Sequence, residues 1–255
     1  MLVDTFMFYN ELDVLEMRFR ILEPYVDKFI LVEAEVNHVG GPKELFFEKN
    51  KERYGKWLNR IEHVIVKAEE CPKDANPWSR EKYQRECILR GLSNVCVSDD
   101  NVVMISDVDE IPDLTRIHWE HLPQAVISLH MWMYQYNFKF MFTAEPWVGT
   151  VLTTYGLVKT NGPNYFRDRR WNFPLVHYAG WHLSSFGDGK HVVNKMKTFA
   201  HALDKNDHKQ FQTEENINRW IKEGLHLDGM KELTPRPDGA PLPPLPEDLL
   251  KKFLV

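Results

Sequence analysis

Two aspartates that follow a hydrophobic run are the residues of this chain best suited to chemistry. They lie in the segment MISDVDEIP (residues 104–112), after the largely apolar, β-branched run of residues 101–105. Such a run predicts a strand covered on both faces, and along an extended backbone Asp107 and Asp109 point to one side. Mg²⁺ and Mn²⁺ take oxygen ligands and often use only one or two carboxylates, while water and phosphates complete the shell. The pair therefore predicts a cation site that can hold a nucleotide diphosphate.

The acidic pair has three other interpretations. Acidic residues after a strand are common turn formers, and this interpretation stays open. An EF-hand is disfavoured because Pro112 occupies the sixth loop position, where a glycine is needed. A phosphatase with an Asp-x-Asp nucleophile is also disfavoured, since its pair follows the first strand and here about a hundred residues come before it.

Composition limits the class of protein. The 255 residues, 43% hydrophobic and 27% charged, fit a soluble globular chain with one sizeable core. A net charge of −5 argues against nucleic acid as a partner. Three cysteines without Cys-x-x-Cys spacing suggest neither disulfides nor a zinc site, which fits a reducing compartment. No run reaches the roughly 18 apolar residues of a membrane span, so we expect no transmembrane segment and a cytoplasmic location.

The elements that precede the pair alternate between strands and helices. Strands are predicted at residues 1–9, 29–32, 63–66 and 101–105, and helices at 11–22 and 80–91, the second with Ser79 as its N-cap. This order predicts an α/β fold with a mostly parallel sheet. Open sheets of this kind bind ligands at the carboxyl ends of their strands, where the acidic pair lies.

The second half of the chain predicts longer strands and a proline-rich tail. Strands are expected at 126–140, 151–159 and 174–181, and helices at 189–203 and 213–223, the last between Thr213 as N-cap and Gly224. Six of the fifteen prolines fall in residues 234–246, too many for a helix or a central strand. We therefore predict a single domain over residues 1–233 and a tail over 234–255 that packs on it.

Six sequence blocks together resemble glycosyltransferase family 17, which includes the β-1,4-mannosyl-glycoprotein 4-β-N-acetylglucosaminyltransferase. They are FYNELDVLEMR (8–18), VEA (32–34), GPK (41–43), WSRE (78–81) with Gln84 and Arg85, ISDVDEIP (105–112) and AGWH (179–182). The resemblance covers residues 3–201. It implies a GT-A-type, Rossmann-like fold with helices on both faces of the sheet, and inverting transfer of a sugar from a UDP-sugar, most simply UDP-N-acetylglucosamine, to a glycan acceptor. It also implies Mn²⁺ or Mg²⁺. Animal members carry a membrane anchor that this sequence lacks, which favours a bacterial, viral or phage member.

The resemblance assigns roles around the cation. It makes Asp109 the main ligand and Asp107 its companion, which contacts ribose or metal-bound water. Glu110 either orients these two carboxylates or is a surface acid. His182 is either a further metal ligand or a packed histidine, because a lone histidine is often structural.

The donor-binding candidates are polar residues near the strand ends and on two helices: Asn10, Glu11, Arg80, Gln84, Arg85, Asp107, Lys190 and Lys195. The alternative for Asn10 is that it caps a helix. The lysines, with Lys197 and Lys43 included, either reach the pyrophosphate or are solvated surface side chains. Arg85 binds diphosphate or pairs with Glu81.

Inversion requires a base for the acceptor hydroxyl, and Glu145 and Asp188 are the two candidates. Two rival functions also stay open. One is a non-catalytic carbohydrate- or nucleotide-binding protein, and the other is a metal-dependent phosphohydrolase of nucleotide diphosphates.

Overall fold

A computed structural model describes residues 1–119, 126–203 and 211–254 of the chain. Its first part alternates strands and helices as predicted, through β1 (Leu2–Phe8), α1 (Leu12–Leu22), β2 (Lys28–Ala34), α2 (Phe46–Asn50), a 3-10 helix (Lys51–Arg60), β3 (Ile61–Val66), α3 (Pro77–Glu86), α4 (Ile88–Val95) and β4 (Val102–Asp107). β1 pairs in parallel with β2 and β4, and β2 pairs in parallel with β3. The carboxyl ends of these strands therefore lie at one edge of the sheet.

The second part adds the strands β5 (Glu110–Pro112), β6 (Ile127–Gln135), β7 (Phe140–Met141), β8 (Trp147–Thr154), β9 (Leu175–Val176), β10 (Gly180–Ser184) and β11 (Thr234–Pro235). Its helices are α5 (Tyr155–Asn161), α6 (Pro163–Asp168), α7 (Gly189–Thr198), α8 (Glu214–Glu223) and α9 (Glu247–Lys252), with short 3-10 helices at Leu114–Arg116, Arg170–Asn172 and Ala200–Leu203. The order of the main sheet in the described chain is β11-β7-β6-β8-β4-β1-β2-β3, and β10 pairs with β5 and β6.

The prediction of a mostly parallel sheet is wrong, because the sheet is mixed. β8 lies antiparallel between β4 and β6. Only residues 136–146 join β6 to β8, and a parallel pairing needs a crossover of a dozen or more residues, usually with a helix. The direction of a strand depends on such connections, which strand propensity does not reveal.

Several predicted boundaries also need correction. The strand expected over 151–159 ends at Thr154, and the chain continues as α5, which Gly162 ends at φ 81°. Asn76 is the cap of α3 rather than Ser79, since its side chain accepts a hydrogen bond from the Trp78 backbone and Pro77 takes the first helical position. The helix expected over 80–91 is two helices that meet at Cys87. The strand expected over 174–181 is two short strands, so His182 lies within β10 and does not follow a strand.

Helices cover both faces of the parallel strands. Alternate side chains of β1 enter different hydrophobic clusters, Phe6 packing with Phe19 of α1 on one face and Val3 with Leu92 of α4 on the other. Strands buried on both faces read as continuous apolar runs, which explains why these strands are recognisable in the sequence.

The proline-rich tail contacts the sheet through backbone carbonyl groups and its terminal helix. Pro241 O accepts hydrogen bonds from Tyr134 Oη and Trp181 Nε1, and Leu249 and Phe253 of the α9 region are buried in the main cluster. None of the helices among the described residues has both the length and the apolar character required to cross a bilayer.

Candidate functional site

A cavity of about 330 Å³ opens at the carboxyl ends of β1, β2 and β4. Its floor includes Glu11 after β1, Lys43 in the loop after β2, and Asp107 and Asp109 at the end of β4. The helices α3 and α7 supply two walls, the second of which carries Lys195. The structure thus brings the acidic pair to the sheet edge at which open α/β sheets bind ligands.

A buried arginine of α1 fixes the backbone that carries the acidic pair. Arg18 has no exposed side-chain surface, and its guanidinium bonds both oxygens of Asp4 at 2.7 and 2.6 Å. Its Nη1 also donates to the backbone carbonyls of Asp107, Val108 and Glu110 at 3.2, 3.2 and 2.6 Å. These bonds satisfy the carbonyl groups of a buried turn, and they tie its position to α1 and β1.

The two aspartates line the same cavity but face different partners. β4 ends at Asp107, and Val108 and Asp109 form a turn that leads into β5, so strict strand alternation does not continue past Asp107. Val108, which strict strand alternation would turn to the opposite side, lines the cavity as well.

Asp107 is held by two guanidinium groups. Arg167 Nη2 contacts its Oδ2, and Arg85 Nη2 lies 3.4 Å from its Oδ1. Burial alone would raise the pKa of Asp107, but Arg167 and Arg85 lower it, and the net pKa is below the usual value. Asp107 is therefore ionised at neutral pH, and its charge is balanced within the protein.

Glu110 lies behind Asp107 and orders its surroundings. The fully buried carboxylate accepts hydrogen bonds from Arg167 Nη1 and Nη2 at 2.8 Å each, from the Asp107 backbone at 3.0 Å and from Trp147 Nε1 at 2.9 Å. Burial opposes the charge of Arg167, but Asp107 and Glu110 raise its pKa above the usual value. Of the two interpretations of Glu110, this geometry matches the orienting one.

Asp109 faces a lysine and a histidine. Lys195 Nζ donates to its Oδ2 at 2.8 Å, and His182 Nε2 lies 3.7 Å from its Oδ1. Burial alone would raise the pKa of Asp109, yet Lys195 and His182 bring it well below the usual range. Burial likewise opposes the charge of Lys195, but Asp109 and Glu11 raise its pKa. The His182 ring stacks on Trp147 with centroids 4.2 Å apart, so Glu110 positions this histidine through the indole.

Asp109 and His182 are the pair whose spacing suits a shared cation. Two ligands at about 2.0–2.2 Å from one ion lie about 3–4 Å apart, and Oδ1 and Nε2 are separated by 3.7 Å. Within the described ranges no group of three or more His, Cys, Asp or Glu side chains is arranged to hold a metal. Asp107 already faces two arginines, so any remaining ligands would come from water and substrate.

The other donor candidates divide into three groups. Glu11, Gln84 and Arg85 line the cavity with Lys195. Gln84 also holds the wall together, since its Nε2 donates to Val32 O at 2.9 Å and its Oε1 lies 3.2 Å from His38 Nε2. Arg85 Nη2 donates to Glu81 at 2.7 Å and also approaches Asp107, so the pairing with Glu81 is present and a contact with diphosphate stays a prediction.

A second cavity, of about 660 Å³, lies beside the first and receives two more candidates. Asn10 and Asp188 line it, and within the described chain Glu11 is the residue that lines both cavities. Asn10 is not the helix cap that the alternative interpretation expected. The N-cap residue of α1 is Glu11, and no side-chain hydrogen bond caps this helix. Asp188 caps α7 by accepting a hydrogen bond from the His191 backbone at 2.8 Å.

The remaining candidates lie away from both cavities. Arg80 bonds the carbonyls of His38 and Asp74 and supports the loop after β2. Glu145, Lys190 and Lys197 are exposed, and none of them lines either cavity.

Sequence reasoning missed a basic cluster and two aromatic residues. Arg167 and Arg170 of the segment RDRR (residues 167–170) line the cavity with Trp147, and Phe199 closes the wall next to Lys195. Three arginines in four residues were the available signal. The strand predicted over 151–159 overlaps α5, and the sequence analysis predicts neither α5 nor α6, which carries Arg167.

Comparison with known proteins supports the family resemblance that the six sequence blocks carry. No curated protein matches the sequence. The model of the family described as Glycosyltransferase family 17 matches residues 1–234, a span that contains both strand-end carboxylates and the whole lining of the first cavity. The chain therefore belongs to glycosyltransferase family 17.

Proposed function

We propose that this glycosyltransferase moves N-acetylglucosamine from UDP-N-acetylglucosamine to a glycan hydroxyl with inversion, with a divalent cation in the cavity at the sheet edge. The observation that carries the donor assignment is the charge of the lining. Among the described residues, six lysine and arginine side chains and five carboxylates line the cavity, and Glu110 behind Arg167 makes a sixth.

The protein charges therefore nearly cancel before any ligand binds. UDP carries about three negative charges near neutral pH, which this balanced lining does not offset alone. A divalent cation supplies charge neutralisation at the diphosphate oxygens when it is bound. Asp109 and His182 would hold it, while Lys195 keeps Asp109 ionised and Arg85 and Arg167 fix Asp107 beside it.

The acceptor is assigned to the second cavity. Its wall contains two buried polar atoms, Asn10 Oδ1 and His191 Nε2, that have no hydrogen-bond partner among the described residues. Buried polar atoms are usually paired, so we propose that a sugar hydroxyl bound in this cavity supplies their missing partner. Lys195 and His191 lie one turn apart on α7, which brings the two cavities together at Glu11.

Asp188 is the proposed base, in preference to Glu145, because Asp188 lines the second cavity and Glu145 lines neither cavity. The acceptor hydroxyl oxygen attacks the anomeric carbon, the bond from that carbon to the diphosphate oxygen breaks, and UDP leaves with the electron pair. The Asp188 carboxylate takes the hydroxyl proton. An attack on the face opposite UDP converts an α-linked donor to a β-linked product.

A mass-spectrometric screen of UDP-sugars against a glycan panel, with NMR assignment of the product anomer, tests this function. Transfer to form a β-linked product is expected. UDP release that is independent of acceptor would instead indicate a hydrolase, and binding without turnover a carbohydrate-binding protein. Asp188→Asn should lower transfer by about 10²–10⁴-fold without changing UDP affinity.

A further inference from the structure

We infer that the C-terminal helix α9 completes a second sugar subsite of the acceptor cavity, in which Lys252 donates a hydrogen bond to the acceptor glycan. This inference rests on the proposed function and extends the acceptor cavity beyond the reacting hydroxyl. Lys252 and Phe253 line that cavity, but both follow residue 234, where the match to the family model ends. The family match therefore does not assign this wall.

The tail is anchored at the wall by its backbone and by ring packing. Phe253 O accepts a hydrogen bond from the Phe138 backbone N–H at 2.8 Å. The Phe253 ring is buried, and its centroid lies 5.4 Å from that of Phe186, another lining residue. Lys252 Nζ donates to Asp13 Oδ2 of α1 at 2.6 Å. Lys252 is therefore held at the cavity from two sides.

The charges of the lining favour an uncharged acceptor. The described lining residues include two cations and three carboxylates, which are Lys252 and Arg53, and Glu11, Asp13 and Asp188. The lining thus has no surplus of positive charge, and it would repel a phosphate or carboxylate group on the acceptor. A glycan of neutral sugars meets no such repulsion.

Lys252 and two asparagines offer hydrogen-bond donors to such a glycan. An ammonium group has three N–H donors, and in the described chain one acceptor, Asp13 Oδ2, lies within hydrogen-bonding distance of Lys252 Nζ. The lining residues Asn137 and Asn218 each use Oδ1 to accept a backbone N–H, at 2.8 and 2.9 Å, which leaves an Nδ2 group that can donate. Sugar oxygens are the matching acceptors.

The cavity has room for more than the reacting sugar. Its volume of about 660 Å³ lies within the range of about 300–1,000 Å³ for sites that bury drug-sized ligands, which are larger than one sugar residue. Asp188 and His191, at the reaction end, lie at the start of α7, whereas Lys252 belongs to α9 and contacts α1. The sugar residue next to the reacting one is therefore the one assigned to Lys252.

Transfer to acceptors of increasing length tests the inference. The acceptors are manno-oligosaccharides and gluco-oligosaccharides of one, two and three residues, with UDP-N-acetylglucosamine as donor. In wild-type protein, kcat/KM should rise by about tenfold or more from one residue to two, the range for a hydrogen bond from a charged donor. Lys252→Met should reduce this gain to about twofold or less through a higher acceptor KM, and UDP affinity should stay unchanged.

Two further variants separate the sugar contact from folding. Lys251→Met is the matched control, because Lys251 is 70% exposed, pairs with Glu247 and lines neither cavity, so it should keep the full gain. Lys252→Arg keeps the charge and N–H donors and should retain a large part of the gain. Asp13 keeps Arg53 as a partner, so Lys252→Met should melt within about 3 °C of wild type.

Three results would overturn the inference. One is an equal loss for acceptors of one and two residues in Lys252→Met, which would make Lys252 a contact of the reacting sugar or of the fold. The others are an unchanged gain in Lys252→Met and wild-type transfer that does not depend on acceptor length, both of which leave the proposed function standing. Wild-type protein that transfers to no acceptor would contradict the proposed function as well.

Discussion

Replacing Arg18 by methionine should destabilise the protein and displace the acidic pair at the same time. The side chain is fully buried and forms a two-bond ion pair with Asp4, so its loss leaves a carboxylate in the core without a cation. Breaking a buried pair in this way costs about 3–5 kcal/mol. For a chain of this size, the melting temperature should fall by about 6–20 °C.

A double variant separates the cost to stability from the loss of positioning. Asp4→Leu/Arg18→Met removes the stranded carboxylate and should recover a large part of the lost stability, because an apolar pair can replace a buried ion pair. It does not restore the donors to the carbonyls of Asp107, Val108 and Glu110. UDP binding with Mn²⁺ should therefore remain at least tenfold weaker than in wild-type protein, even where the fold is stable.

Differential scanning calorimetry and UDP titration of the same samples measure the two effects. Arg20→Met is the matched control, since Arg20 lies on the same helix, is exposed, forms an ion pair with Glu16 and lies 5.8 Å from the centre of the Trp57 ring. It should change stability by about 0.5 kcal/mol or less. A melting temperature of Arg18→Met within about 2 °C of wild type, or normal UDP binding by the double variant, would refute this role of Arg18.

Two further predictions concern the cation pair and the docking of the terminal helix. His182→Phe keeps a ring that can stack on Trp147 but removes Nε2. It should therefore raise the Mn²⁺ concentration needed for half-maximal UDP binding without lowering the melting temperature. An unchanged Mn²⁺ titration would make His182 a packed histidine. Burial favours a higher pKa for Asp13, but Lys252 and Arg53 hold its pKa below the usual value of 3.8. The ionised carboxylate therefore contributes its full stabilisation above about pH 3.8, and this contribution is lost as the pH falls through the lower pKa of the folded state. Asp13→Asn should therefore cost about 0.5–1 kcal/mol in urea unfolding at pH 7 and less at pH 3, and an equal cost at both values would contradict the assignment.

The parallel half of the fold could be predicted because its strands are short apolar runs buried on both faces. β1 to β4 and α1 are confirmed close to their predicted bounds. The position of the acidic pair followed from β4, since carboxyl ends of parallel strands meet at one edge. The sequence therefore predicted that Asp107 and Asp109 lie at the edge of the sheet where the cavity opens.

The rest depended on contacts between distant parts of the chain. Nothing local links Arg167 to Asp107 or Arg18 to Glu110, yet these pairs fix the turn and its charge. The antiparallel placement of β8 likewise follows from a short connection rather than from propensity. By contrast, Asn76-Pro77 was a local signal for the start of α3 that the sequence interpretation missed.

Calorimetric titration of UDP tests the proposed cation-dependent donor site most directly, when it is performed with Mn²⁺, with EDTA, and with Mn²⁺ on Asp109→Asn. The near cancellation of charge in the lining predicts at least tenfold tighter binding to wild-type protein with Mn²⁺ than in either other case. Equal affinity in all three titrations would contradict it.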